Sequence, residues 1–303
     1  MKRSLDYTVF RIVFLWLFLV IAASCGSKSD DSVPPIEVIE EEEVEESIPP
    51  VVFTAIGDVP YDDEQRTDLI NMVTAHNAQN KSEFIIHVGD IKRGADPCDE
   101  TVYEDVSTIL KGFDMPTFVV LGDNEFNTCA DPDQGLEFWN QYFLHFNENW
   151  QFAHTVLYQT ERAENFSWVE NKVLFVGINL VGIPVHDQEE WDERLADDAK
   201  WVSQLLEEHK EDTEATVIFA QANIVNLEPD KFNIFTDVFR AASATYAKPI
   251  LYLHGDGHFW IENRPWAEKN ILRVQIVGGS EAAQVTVDTS KENPFSFDSS
   301  FLE

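Results

Sequence analysis

Four apolar runs of strand length in this chain end on the same dipeptide: Gly57-Asp58, Gly89-Asp90, Gly122-Asp123 and Gly255-Asp256. With 13 glycines and 25 aspartates in 303 residues, about one such pair is expected by chance. In open α/β folds, ligands sit beyond the carboxyl ends of the strands. Glycine lets the backbone turn sharply there, and the next side chain projects into the crevice. The pattern therefore constrains the chain to a sheet architecture that gathers aspartates along one rim.

The spacing of apolar residues agrees. Val51–Ile56, Phe84–Val88 and Thr117–Leu121 read as buried strands, with helices predicted over Asp62–Asn80, Asp99–Phe113 and Gln134–Asn149. That order implies parallel strands under helices. Farther on, Asn165–Glu170 and Lys172–Leu180 read as a hairpin joined at Glu170-Asn171, and Gln188–Glu211 as a long acidic helix with one apolar face. A strand over Thr216–Ala220, a helix over Asp230–Tyr246, and strands over Ile250–Leu253, Ile271–Val277 and Gln284–Val287 complete the reading. The fold class predicted is α/β, with two mixed β-sheets packed as a sandwich between helical layers, in one domain spanning residues 51–303. With 44% hydrophobic residues, the chain has ample material for such a core.

Charge narrows the function. The chain carries 21 Lys and Arg against 55 Asp and Glu, a net charge of −34. Nucleic-acid binding rests on neutralising phosphates with Lys and Arg, so nucleic acid is excluded as a partner. Four carboxylates converging on one spot repel one another unless cations sit between them. Hard oxygen ligands in that number point to a divalent metal. Taken singly, each aspartate could instead be a turn or helix-capping residue.

In this order the motifs resemble those of the calcineurin-like metallophosphoesterases, which build a two-metal site from D-x-H, GD, GNH[ED], a His after a strand, and GHxH. The corresponding strings here are Gly57-Asp58-Val59-Pro60-Tyr61, Gly89-Asp90, Gly122-Asp123-Asn124-Glu125, Gln221, and Gly255-Asp256-Gly257-His258, spanning about Val51 to Val287. The resemblance implies metal ligands at Asp58, Asp90, Asp123, Gln221, Asp256 and His258, with Asp90 central because its counterpart bridges both ions. It also implies phosphate-orienting chemistry at Asn124.

The departures matter. Pro60 stands where a histidine would bind the first metal, and proline cannot ligate. Asp123 replaces an Asn, Gln221 replaces a His, and Asp256 replaces the first His of the last motif. Asn124 replaces a His; it donates hydrogen bonds but cannot shuttle a proton at neutral pH. The set is oxygen-rich, so one or two Mn²⁺, Mg²⁺ or Ca²⁺ ions are expected rather than zinc. His87 and His254 end apolar runs just before their Gly-Asp pairs and suit a core or supporting role, with His254 also a catalytic candidate. Lys92, two residues after Asp90, is a candidate phosphate-binding residue or a surface ion pair.

The N-terminus reads as a targeting segment. Lys2, Arg3 and Arg11 precede an apolar run from Ile12 to Ala23, too short for a membrane span but suited to a signal peptide over residues 1–24. Ala22-Ala23-Ser24-Cys25 resembles a bacterial lipobox, which implies lipidation at Cys25. Residues 25–50 read as a linker, with Pro34-Pro35, seven Glu between Glu37 and Glu46, and Pro49-Pro50. Prolines and like charges keep such a segment extended. An outer-membrane or cell-surface lipoprotein is expected, in contact with membrane through the lipid only.

With Cys25 lipidated, Cys98 and Cys129 are the two cysteines left in an oxidising compartment, and a disulfide between them is expected. Two function classes stand. One is a metal-dependent hydrolase of a phosphorylated small-molecule or surface substrate. The other is a non-catalytic surface lipoprotein keeping the fold for binding or structure.

Overall fold

The computed structural model describes residues 48–79 and 81–302. The expected signal peptide, Cys25 and all of the linker before residue 48 lie outside the described residues. The first half of the domain alternates strands and helices in chain order: β1 (Val51–Ile56), α1 (Asp63–Gln79), β2 (Phe84–His87), α2 (Glu100–Leu110), β3 (Thr117–Val119) and α3 (Pro132–Phe143). The second half holds β4 (Leu157–Tyr158), β5 (Phe166–Glu170), β6 (Val173–Gly177), α4 (Gln188–Glu208), β7 (Ala215–Ala220), α5 (Asn233–Tyr246) and β8 (Ile250–His254). β9 (Ile261–Asn263), β10 (Ile271–Gln275), β11 (Ala283–Val287) and β12 (Phe295–Asp298) follow.

These strands form two mixed sheets. One has five strands in the order β12-β11-β1-β2-β3, and the other seven in the order β4-β5-β6-β7-β8-β10-β9. β1, β2 and β3 pair in parallel, while β11 lies antiparallel to β1. β6, β7, β8 and β10 are likewise parallel neighbours. Parallel strands covered by helices are buried on both faces, which is why β1, β2, β7 and β8 are near-continuous apolar runs rather than alternating ones.

Aromatic residues join the sheets. Phe53, Phe84 and Phe118 from the first sheet meet Trp168, Phe175 and Phe219 from the second in one buried cluster. Phe53 stacks on Phe84 at 4.9 Å and Phe118 on Trp168 at 4.5 Å. Truncating one such ring to Ala costs about 3–5 kcal/mol. A second cluster lies under the helices, where α4 buries Trp191, Leu195, Ala199, Val202, Leu205 and Leu206 on one face. α4 starts where Asp187 accepts the N–H groups of Glu189 and Glu190.

The α/β sandwich is as expected, with local differences. The predicted helix over Gln134–Asn149 ends at Phe143, and a 3-10 turn over Phe146–Asn149 follows His145, whose φ is 53°. The hairpin turn falls one residue later than predicted. Asn171 and Lys172 both have positive φ, 47° and 62°, as a two-residue turn matched to strand twist requires. β4, β9 and β12 were not anticipated. Among the described residues, no helix is long and apolar enough to cross a membrane.

Candidate active site

The Gly-Asp turns are strained in a shared way. Asp58, Asp90 and Asp256 adopt left-handed backbone at φ 53°, 61° and 72°, and His258 does so at 55°. These turns leave the carboxyl ends of β1, β2 and β8. Gly122, at the end of β3, permits the closest approach: a Cβ there would lie 2.2 Å from the amide nitrogen of Asp90. The Asp58 N–H donates to the Gly89 carbonyl at 3.0 Å, locking the first two turns together.

The side chains meet on that rim. Asp58 Oδ1 accepts the Asp256 N–H at 2.9 Å and lies 3.3 Å from His258 Nε2. Asp90 Oδ1 accepts the Asn124 N–H at 3.1 Å, and Asp90 Oδ2 accepts the Tyr61 hydroxyl at 3.0 Å and Asn124 Nδ2 at 2.8 Å. Asp123 Oδ1 accepts Gln221 Nε2 at 2.8 Å, and Asp256 Oδ2 accepts the Asn223 N–H at 3.0 Å. These contacts bring Asp58, Asp90, Asp123, Asn124, Gln221, Asp256 and His258 to the same rim.

Their electrostatics follow from crowding. Burial pushes the Asp90 carboxyl well above its ordinary range, and the charges of Asp123, Glu125 and Asp58 push it further. Asp123 rises in the same way through burial, Asp256 and Glu125. Asp58 and Asp256 also rise, chiefly through burial. His258 is raised instead, mainly by its hydrogen bond to Asp58.

Three expected roles change. His254 is fully buried: its Nδ1 faces the Gly255 carbonyl at 2.9 Å and its Nε2 accepts the Arg273 guanidinium at 2.9 Å. Burial drives its pKa down to about 3, so it is a neutral supporting residue rather than a catalytic one. The Lys92 ammonium is turned inward, donating to the carbonyls of Asn124 at 2.7 Å and Arg93 at 3.0 Å. It joins the loops after β2 and β3 instead of reaching out as the expected phosphate-binding residue or forming a surface ion pair. Gln221 directs its amide nitrogen at Asp123, because its oxygen is taken by the Gly182 N–H at 2.6 Å.

Residues given no role in the sequence reading complete the site. Tyr61 places its hydroxyl among Asp90, Asn124 and His258. Glu125, fully buried, accepts main-chain N–H groups of Gly122, Asp90 and Ile91. Arg273 is fully buried and, among the described residues, bonds only neutral acceptors: His254, Asn226, Asn223 and Gln275. Its network holds the Gly255–Phe259 loop, since Gln275 also donates to the Phe259 carbonyl at 2.8 Å. The one local hint was Glu125, which directly follows the Gly122-Asp123-Asn124 string. Beside the site, Cys98 and Cys129 form the expected disulfide, with Cα atoms 5.6 Å apart.

Among the described residues, no three His, Cys, Asp or Glu side chains are arranged to hold a metal ion in their present hydrogen-bonded positions. The donor chemistry nonetheless fits a hard divalent cation. Four crowded, buried carboxylates with raised proton affinities gain from any positive charge placed among them. Binding one requires side chains such as Gln221 to exchange their present partners for the ion.

A sheet sandwich between helices carries this acidic rim at its strand ends. The chain belongs to the calcineurin-like phosphoesterase family, whose model matches residues 51–267. Among solved structures, a dimetal phosphatase from Danio rerio is similar at 12% identity and a TM-score of 0.52, covering 80% of this chain and 96% of that one. That likeness is one of fold. Also similar are GAP50, the anchor in the inner membrane complex of Plasmodium (11% identity, TM-score 0.48, 82% and 88% covered), and purple acid phosphatase PPD1 from yellow lupin, Lupinus luteus (10%, 0.48, 83% and 53%). No curated protein matches the chain.

Proposed function

We propose that this protein is a metal-dependent phosphoester hydrolase held at a membrane surface by a lipid on Cys25. The observation that carries the catalytic reading is the meeting of Asp58, Asp90, Asp123 and Asp256 at the strand ends, each raised in proton affinity by its surroundings. These aspartates, with Gln221 and His258, are the residues that would hold Mn²⁺, Mg²⁺ or Ca²⁺. A bound ion would supply Lewis-acid polarisation of a phosphoryl oxygen and acidify the attacking water.

The remaining work falls to the chain's own groups. Asn124 Nδ2, held now by Asp90 Oδ2 and the Tyr61 hydroxyl, would donate to a phosphoryl oxygen on exchanging one of these partners. Glu125 and Lys92 fix the turns that carry Asp90 and Asn124. The substrate class is a phosphorylated small molecule or surface group. The full-length chain, assayed against phosphomonoesters, diesters and nucleotides with each of the three metals, is expected to hydrolyse at least one class. Chelator and Asp90→Asn should each abolish the activity.

The second reading is a non-catalytic lipoprotein. It is favoured by the saturation of Asp90 with internal hydrogen bonds and by Asn124, which cannot relay a proton. Metal-loaded protein that hydrolyses none of the panel would establish that reading. Lipidation and an outer-membrane or surface location rest on the Ala22-Ala23-Ser24-Cys25 string. Mass spectrometry of the mature N-terminus tests them, and an unmodified terminus at another residue would overturn them.

A further inference from the structure

We infer that the cleft between the first turns of α1 and α2 takes the alcohol part of the phosphoester, and that it selects an apolar alkyl chain over a sugar or nucleoside. The inference rests on the hydrolase reading above and names the substrate class for that same site.

Topology puts the cleft on the carboxylate rim. α1 follows β1 and α2 follows β2, and the two strands are parallel, so both helices start at the strand ends that carry Asp58 and Asp90. Pro60 and Tyr61, after β1, and Ile91, after β2, line a cleft of about 350 Å³ together with Val102 and Val106 of α2. Small-molecule pockets run from about 300 to 1,000 Å³, so a short chain fits this one. Tyr61 belongs to both places. It lines the cleft, and its hydroxyl lies 3.0 Å from Asp90 Oδ2 and 3.0 Å from Asn124 Nδ2. A phosphoryl group at Asn124 therefore has the cleft one side chain away.

The chemistry of the lining selects the occupant. Ile91 and Val106 are buried members of the core under the helices, and Val102 packs against the same cluster. The floor is thus apolar, and methylenes laid on it leave water at a gain. The charged side chains of the cleft are already engaged. Arg66 donates Nε and Nη2 to Asp105, each at 2.6 Å. Asp96 accepts Arg93 at 2.9 Å, Asp62 accepts the Gln65 N–H at 2.9 Å, and Lys92 is spent on two carbonyls. A sugar or base entering here would shed its hydration and find no charged group free to replace it. An alkyl chain meets no such cost.

The test is a chain-length series on the full chain with Mn²⁺. Alkylphosphonates cannot be hydrolysed, so calorimetry on them reads binding apart from catalysis. Affinity should rise at least about tenfold from methyl- to hexylphosphonate, under a ceiling of about fourfold per methylene. The kcat/KM of ethyl, butyl and hexyl phosphate should rise in step, since their alcohols are equally poor leaving groups. Val102→Asp places a carboxylate in the first turn of α2, where the helix dipole tolerates it. It should cut the hexyl-to-methyl affinity ratio about tenfold, while Val102→Leu keeps the ratio; thermal melting checks that both fold. A flat series, an unchanged ratio in Val102→Asp, or a higher kcat/KM for ribose 5-phosphate or AMP than for hexyl phosphate would overturn the subsite, and hydrolysis of any phosphoester would leave the hydrolase reading standing. Chain-length-dependent phosphonate binding with no phosphoester hydrolysed would overturn the hydrolase reading and leave the cleft as a binding site.

Discussion

The carboxylate of Glu125 holds the backbone of Asp90 directly: Oε1 accepts the Asp90 N–H at 3.2 Å and the Gly122 N–H at 2.7 Å, while Oε2 accepts the Ile91 N–H at 3.2 Å. One buried acid thus serves three donors from two turns. Glu125→Gln turns an N–H₂ group towards at least one of these donors, leaving it buried and unpaired. We expect a loss of about 1–3 kcal/mol in urea unfolding, with weakened Mn²⁺ binding, since Asp90 loses its support.

Two glycine substitutions separate packing from site geometry. A Cβ on Gly177 would meet only the Phe166 ring, 2.2 Å away, whereas one on Gly122 would strike Asp90 itself. Both Gly177→Ala and Gly122→Ala should destabilise the fold by on the order of 2 kcal/mol or more. Metal affinity, measured at a temperature where both remain folded, should fall at least tenfold only for Gly122→Ala.

The Cys98–Cys129 bridge spans 31 residues of sequence. Closing a loop of that size is worth on the order of 3 kcal/mol. Dithiothreitol should lower the melting temperature, and the double variant Cys98→Ser/Cys129→Ser should melt at that lower temperature with or without reductant.

Asp198 predicts a pH dependence. It is fully buried, accepts Asn165 Nδ2 at 2.7 Å, and has its other oxygen unpartnered among the described residues. Burial pushes its pKa up to about 7, above the unfolded value of about 3.9. Between those values the folded chain holds the extra proton, so this group's stabilising contribution is full below about pH 4 and is lost as pH rises to about 7. Asp198→Asn keeps the acceptor for Asn165 and removes the titration. Urea unfolding should show the variant gaining on the native chain by on the order of 4 kcal/mol between pH 4 and pH 8.

What could be read in the sequence was local. Strands such as β1, β2 and β8 are continuous apolar runs closed by Gly-Asp, and that pattern located the aspartates of the site. β4, with two residues, and β9, with three, are too short to show a period of two. The roles of Tyr61, Glu125 and Arg273 escaped the sequence for a different reason, although Tyr61 and Glu125 stand inside the motif strings. Their roles depend on partners across the fold, as with Tyr61 and His258, which lie 197 positions apart. His254 illustrates the opposite error: its place before Gly255-Asp256 suggested chemistry, yet Arg273, on the neighbouring strand β10, occupies the nitrogen that would perform it.

The position of β1 has a mechanical consequence. The chain runs directly from Pro50 into this strand, which lies between β11 and β2 in the middle of its sheet. Val51 pairs with Val287 on one side, and Phe53 with Phe84 on the other. A pull on Pro50 therefore loads both ladders in shear at once, and no edge is available to peel first. The strand's six residues also set Asp58 about 20 Å from the point of pull, at the far end of the sheet. Tension applied at the start of the domain reaches the carboxylate rim only after β1 has torn free of both neighbours.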